Sequence, residues 1–506
     1  MSSVKSERKW CFGNAVLRMV LVGISILLQV GWILLTILVL NESYPWLAFF
    51  TRLLSVAVIL KINSKPTNSA YKMPWIMLIM AAPVMGLSLY VMMDVFGDLG
   101  SFGKRLKTVR KEIRSSLHSA VSSDYPVGVN RYLQNLGFPA YEHTAATYYS
   151  DAADALESLK ADLEAAESFI FMEYFIVSDG SAFQEIAAIL IRKARQGVDV
   201  RFVYDDVGSV GSANLLFAKK LTDAGIRCMV FNPALPLLNL FMNHRDHRKI
   251  TVIDGKIGYT GGFNLSDEYF GRKITYGHWK DTGVRLEGVA VKSLCAAFLE
   301  MWSTGTRQKE DVTQFLCVNH PVNAEGIVQP YEDDPLGEER VAENVYLSLV
   351  YRARKSLYVI TPYLIITDEM TKALGLAAKR GVDVRIITPG VPDKKIVYAV
   401  TRSYYASLAA QGVRIFEYTP GFCHAKQMIC DEEIASIGTS NLDFRSLYLH
   451  FENNVLLQGG TAVSRMAEDF ARLFPQCEEV TEKYRSGRSR ALRMGQYILR
   501  LFAPLL

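Results

Sequence analysis

The chain reads His247-Arg248-Lys249-Ile250-Thr251-Val252-Ile253-Asp254, and 177 positions later it reads His424-Ala425-Lys426-Gln427-Met428-Ile429-Cys430-Asp431. His, Lys and Asp coincide at that offset, and so do Gly261 with Gly438, Asn264 with Asn441 and Leu265 with Leu442. A pattern H-x-K-x4-D-x6-G-x2-N that occurs twice in one order points to internal duplication. Residues i and i+2 of a strand share a face, so each His stands beside its Lys. Asp254 and Asp431 have the opposite parity, at a point where Gly255 or Glu432 begins a turn, and we expect them to support the site from behind. Gly261 and Gly438 permit close backbone approach, which leaves Asn264 and Asn441 as donors near the same pocket.

Outward from this core the duplication continues. Ser168–Tyr174 reads as a strand and Ser356–Tyr363 answers it 188 positions later, each after a helical stretch. Both copies then run through a helix into one pentapeptide, Gly197-Val198-Asp199-Val200-Arg201 and Gly381-Val382-Asp383-Val384-Arg385, where glycine ends the helix and the Val alternation begins a strand. A further strand follows in each copy, at Gly225-Ile226-Arg227 and Gly412-Val413-Arg414. Such alternation predicts α/β units around a mixed or parallel sheet. We expect two lobes, 145–316 and 337–506, joined by a Pro-rich acidic linker over 317–336 and packed about a pseudo-twofold axis.

Two lysines and two asparagines that converge across such an axis form an oxyanion site, most naturally for phosphate. Burying two cations beside two imidazoles is costly until an anion arrives. An imidazole titrates near neutral pH, so one His can attack phosphorus while its twin protonates the leaving alcohol, then deprotonates the alcohol that releases the phosphohistidine. Protonated lysines are not metal ligands, and the chain has no H-x-x-x-H, no H-x-x-E-H, no C-x-x-C and no G-x-x-x-x-G-K-[ST]. No cofactor and no metal is expected.

Half of the 506 residues are hydrophobic, and 56 Lys plus Arg against 51 Asp plus Glu leave a formal charge of +5. That composition excludes a disordered tail or a coiled-coil rod, and the charge is too small to choose nucleic acid over membrane. Its distribution is more informative. Met19–Leu40 runs 22 residues and Trp75–Met93 runs 19 without a charged residue, each long enough to cross ~30 Å of hydrocarbon at ~1.5 Å per residue. Leu47–Leu60 contains Arg52 and either crosses or lies in the interface. Trp10, Trp32, Trp46 and Trp75 fit an aromatic belt. Residues 1–100 therefore read as a transmembrane anchor module and 101–144 as a basic juxtamembrane segment, with Lys104, Arg105, Lys107, Arg110, Lys111 and Arg114. Basic residues flank both ends of the module and fill its loop, so the positive-inside rule leaves the side open. The basic, apolar-interleaved stretch from Lys483 to Phe502 reads either as a helix on anionic lipid or as a solvated terminal helix.

The paired segments resemble the HKD motifs of the phospholipase D superfamily. Asn243–Ile250, Gly261-Gly262-Phe263-Asn264, Trp279-Lys280-Asp281-Thr282 and Gly438–Ser446 are similar to bacterial cardiolipin synthases, as are Asn68–Tyr90, with Lys72, Trp75, Pro83 and Gly86, and the closing Phe502-Ala503-Pro504-Leu505-Leu506. Two positions depart from that family, since Asn is common where Asp246 and His450 stand. The resemblance implies a duplicated, two-lobed α/β sandwich of the phospholipase D type behind a transmembrane helical module, multi-pass in a bacterial cell membrane. It also implies catalysis by His247, Lys249, Asp254, His424, Lys426 and Asp431, with Asn264 and Asn441 binding substrate and no cofactor. The expected reaction passes a phosphatidyl group from one phosphatidylglycerol to another, with phospholipids and membrane rather than nucleic acid as partners. A hydrolase of phosphodiesters on the same scaffold and a catalytically silent membrane scaffold are the alternatives.

Overall fold

The computed structural model describes residues 45–65, 68–96, 100–115, 127–210, 215–233, 244–307 and 311–486, with positions 27, 31, 34, 117, 495, 499 and 500. The expected span Met19–Leu40 lies outside the described residues apart from three positions, as do Trp10, Trp32 and most of the stretch from 487 to 506.

Two mixed sheets carry the same strand order. The first runs Thr144–Tyr149, Gly283–Gly288, Ile257–Gly261, Lys249–Ile253, Phe169–Tyr174, Asp199–Asp205, Arg227–Phe231. The second repeats it as Ile327–Asp333, His450–Gln458, Ile434–Gly438, Gln427–Cys430, Ser356–Ile360, Asp383–Pro389, Arg414–Tyr418, with Cys477–Glu479 added at the far edge. In both, the last three of the seven shared strands pair in parallel and the others antiparallel. The parallel strands are largely buried because helices such as Ser181–Arg195 and Asp368–Lys379 cover them. A third core joins the lobes, where Phe171, Ile250 and Val252 of one sheet, Ile429, Ile437 and Val455 of the other and the helix Val291–Thr306 share one cluster. This is the expected two-lobed α/β architecture.

Three expectations need correction. The second half of the linker 317–336 is the strand Ile327–Asp333, the edge of the second sheet, paired with Asp333 opposite Glu452. Its acids and Pro330 disguise it, and an edge strand tolerates proline because half its backbone groups face away from the ladder. The apolar run Trp75–Met93 is a hairpin: the helices Ser69–Ala81 and Pro83–Phe96 are broken at Ala82, where Pro83 opens the second helix. Gly86 lets them close, since a Cβ there would lie 2.6 Å from Ile79 Cα. Trp75 is buried against Tyr90 in this hairpin, with ring centroids 5.7 Å apart, and not placed in a belt. Among the described residues no helix combines the length and apolarity needed to cross a membrane. Finally, the start of the segment 101–144 is docked on the lobes. Its helix Gly100–Ser115 carries Arg110 and Arg114 into ion pairs with buried Glu300 and with Asp334 and Glu332.

Candidate active site

Each histidine of the duplicated motif is positioned by the opposite lobe. Arg245–Asp246 pairs in parallel with His450–Phe451, and His247 N–H donates to the Phe451 carbonyl at 2.9 Å. Its pseudo-equivalent, Gly421–Cys423, pairs in parallel with His278–Lys280, and His424 N–H donates to the Lys280 carbonyl at 2.7 Å. The exchange brings each imidazole to a carboxylate across the boundary. His247 Nδ1 lies 2.9 Å from both oxygens of Glu452, and His424 Nδ1 lies 2.7 Å from Asp281 Oδ2. With Nδ1 held in this way, Nε2 is the nitrogen left for chemistry.

Both histidines line one cavity of about 550 Å³, together with Asn264, Asn441, Trp279, Tyr269, His450 and Arg445. Lys426 Nζ lies 2.7 and 3.0 Å from the two ring nitrogens of His424, and Lys249 Nζ donates to the His247 carbonyl. Asn264 is fixed at both ends, its Oδ1 accepting from Ile176 N–H at 3.0 Å and its Nδ2 donating to the Tyr269 hydroxyl at 2.8 Å. Asn441 Oδ1 is buried without a hydrogen-bond partner among the described residues. The glycines allow close approach between neighbouring strands. A Cβ on Gly261 would lie 2.5 Å from the Thr282 carbonyl, and one on Gly438 would lie 2.4 Å from the Asn453 carbonyl.

Asp254 and Asp431 stand apart from this cavity. Asp254 accepts backbone N–H bonds from Glu167, Ser168 and Phe169, and Asp431 from Arg354, Lys355 and Ser356. Both sit at positive φ, 51° and 54°, in the turn that ends the motif strand. They pin that turn to the start of the neighbouring strand and do not line the cavity.

Asp281 and Glu452 are the residues that reasoning from spacing misses. They are equivalent under the duplication: Gly262 N–H donates to Thr282 O, and Thr439 N–H to Asn453 O, each at 2.9 Å and one residue past the carboxylate. The signal was an acid at the start of the closing strand of each copy, Asp281 two residues before Gly283–Gly288 and Glu452 the third residue of His450–Gln458. It was hidden because one is Asp and the other Glu, and because the intervening loop is six residues shorter in the second copy.

The electrostatics are those of a site waiting for an anion. Burial brings Lys249 down to about 7 and Lys426 to about 8, against the attraction of Glu452 and Asp281. Burial and the Lys426 cation take His424 down to about 4, while burial and Lys249 take His247 well below its usual value. A phosphodiester in the cavity would reverse these shifts by adding negative charge. His247, His450 and Glu452 also place potential ligand atoms within 4.8 Å of one another. That trio suits a cation poorly, because Thr439 Oγ1 at 2.5 Å and Ser446 Oγ at 2.6 Å already donate to the carboxylate and the Lys249 ammonium is adjacent.

A family described as cardiolipin synthase, PLD-like domain matches residues 159–302 and 346–474. A protein of Geobacillus kaustophilus named cardiolipin synthase is 33% identical over 478 residues, covering 91% of this chain and 94% of the relative. Another of that name from Halalkalibacterium halodurans is 33% identical over 89% of this chain and 91% of its own. Among solved structures, the phosphatidylserine synthase of Haemophilus influenzae superposes with a TM-score of 0.54 at 13% identity, over 71% of this chain and 93% of that one, a likeness of fold.

Proposed function

The chain belongs to the family of cardiolipin synthases with phospholipase D-like domains, and from that premise we propose that it joins two phosphatidylglycerols into cardiolipin and releases glycerol. One of His247 and His424 attacks phosphorus through Nε2. The P–N bond forms as the P–O bond to the headgroup glycerol breaks, and the other imidazole gives that oxygen a proton. The same imidazole then takes the proton of a hydroxyl on the second phosphatidylglycerol, whose oxygen forms the new P–O bond as P–N breaks. A phosphodiester is exchanged for a phosphodiester, so no activated nucleotide is consumed. Lys249, Lys426, Asn264 and Asn441 neutralise and orient the phosphoryl oxygens. Asp281 and Glu452 hold the imidazoles in the reactive tautomer.

The observation that carries this reading is the reciprocal clamp, two Nδ1–carboxylate bonds that cross the lobe boundary in opposite directions beside one cavity. We further propose that the amino-terminal module inserts into the bacterial cell membrane as a multi-pass anchor. The apolar Phe49, Phe50, Leu53, Leu54 and Leu60 exposed on the helix Pro45–Ser64 support that reading, because a large apolar face at the surface of a chain needs a partner. Donor and acceptor both reside in the bilayer, where anchoring raises their effective concentration.

The test is the product. Purified full-length protein given phosphatidylglycerol should yield cardiolipin and glycerol in equal amounts, and acid-labile phosphate should appear on a peptide containing His247 or His424. Phosphatidic acid without cardiolipin would refute the assignment and favour a hydrolase.

A further inference from the structure

The duplication is broken inside the cavity beside the histidines. Because Gly421–Cys423 pairs with His278–Lys280 as Arg245–Asp246 pairs with His450–Phe451, the residue equivalent to His450 is Trp279. The two rings occupy matching places, Trp279 with its centroid 5.6 Å from His424 and His450 with its centroid 5.4 Å from His247. The His424 end is walled by aromatic rings, Trp279, Tyr269 and Phe422. The His247 end carries an additional imidazole.

That imidazole is built into the site without a hydrogen-bond partner among the described residues. His450 is 8% exposed, lines the cavity, and neither ring nitrogen has a hydrogen bond. Its Nδ1 lies 3.7 Å from Glu452 Oε1, beyond bonding distance, and that carboxylate is already occupied by His247, Thr439 and Ser446. Leaving two buried polar atoms unpaired is costly, and the cost is recovered when a ligand pairs them.

The ligand chemistry follows from the surroundings. Burial, with Arg445, Lys249, His244 and Arg245 nearby, holds His450 well below its usual value, so the ring is neutral and offers one N–H donor and one lone pair. A phosphoryl oxygen would use only the donor, and an ammonium headgroup would use only the lone pair while adding positive charge to a cationic wall. A hydroxyl matches both. Resting on the transferase reading above, we propose that His450 binds a hydroxyl of the glycerol headgroup that does not take part in bond exchange, and so selects a polyol over a simple alcohol or an amine at this site.

The experiment is an acceptor competition. Purified full-length protein is supplied with phosphatidylglycerol and equimolar labelled glycerol and propan-1-ol, and the ratio of the two phosphatidyl alcohols is measured within each sample, so that the amount of active protein cancels. Wild type should favour glycerol. His450→Phe should lower the glycerol-to-propanol ratio about tenfold, the worth of one to two neutral hydrogen bonds, while His450→Asn, which keeps a donor and an acceptor, should retain most of the preference. If His450→Phe does not fold, His450→Leu gives the same ratio test. A ratio in the Phe or Leu variant within twofold of wild type overturns the inference and leaves the transferase reading standing. Hydrolysis by wild type with no transfer to either alcohol overturns both.

Discussion

Replacing Asp281 by Asn exchanges one carboxylate oxygen for an NH2 group and should disable a histidine of the other lobe. Asp281 Oδ1 accepts from Thr282 N–H at 2.9 Å and Oδ2 faces His424 Nδ1 at 2.7 Å. The side chain cannot step aside, because Gly262 packs so tightly on it that a Cβ there would lie 2.0 Å from Oδ1. In Asp281→Asn the amide oxygen is needed by Thr282 N–H, so the NH2 points at Nδ1 and His424 must present a lone pair there. The ring proton then moves to Nε2, where a nucleophile or base needs its lone pair. The reverse rotamer sets NH2 against N–H and forfeits the Thr282 bond. Either arrangement gives up a bond to a charged group worth about 1.5–3 kcal/mol, or roughly 10- to 150-fold. The wrong tautomer in an analogous His–carboxylate pair costs about 10⁴ in kcat. The expected loss in kcat for cardiolipin formation therefore lies between about 10 and 10⁴, with KM little changed and thermal unfolding within a few degrees of wild type. The assay is the initial rate of cardiolipin formation by the purified full chain in mixed micelles of phosphatidylglycerol. A folded variant with kcat within threefold of wild type would show that the cross-lobe carboxylate does not set the tautomer.

The same geometry makes Gly262 a remote control of His424, and Gly262→Ala should lower kcat about tenfold or more by displacing Asp281, as initial rates would show; unchanged rates in folded protein would deny the contact. Asp431→Ala should leave kcat and KM of the folded enzyme unchanged but cost about 1–3 kcal/mol in denaturant unfolding, since three backbone N–H groups lose their acceptor. Binding of diethyl phosphate should take up protons. At pH 7.5 Lys249, at about 7, and Lys426, at about 8, lack roughly three-quarters and one-quarter of a proton, and an anion that restores both draws in about one. Affinity should accordingly weaken as pH rises above about 8. Calorimetry in buffers of different ionisation enthalpy measures the uptake, and proton release on binding would contradict the sign.

What the sequence discloses and what it hides follow from the duplication itself. His247 with Lys249 and His424 with Lys426 are legible because strand periodicity is local, and two residues apart is the same face in any sheet. Asp281 and Glu452 are not legible in that way. They serve histidines 143 and 205 positions away, and only the parallel pairing of short segments across the lobe boundary joins them. The strand Ile327–Asp333 escaped because its proline and acids are tolerated only at an edge, a fact about sheet position. The Trp75–Met93 run deceived for the opposite reason. Apolarity measures the solvent a segment avoids and not how far it extends, and Pro83 with Gly86 folds that run into a hairpin whose interior hides Trp75. Duplication thus fixes a chemistry that needs two equivalent histidines. A reaction whose donor and acceptor carry the same headgroup still has to distinguish the leaving glycerol from the glyceride that stays, and a perfectly symmetric site could not. The exchange of Trp279 for His450, with Arg245 standing where the other copy has Phe422, makes the two ends of the cavity unlike.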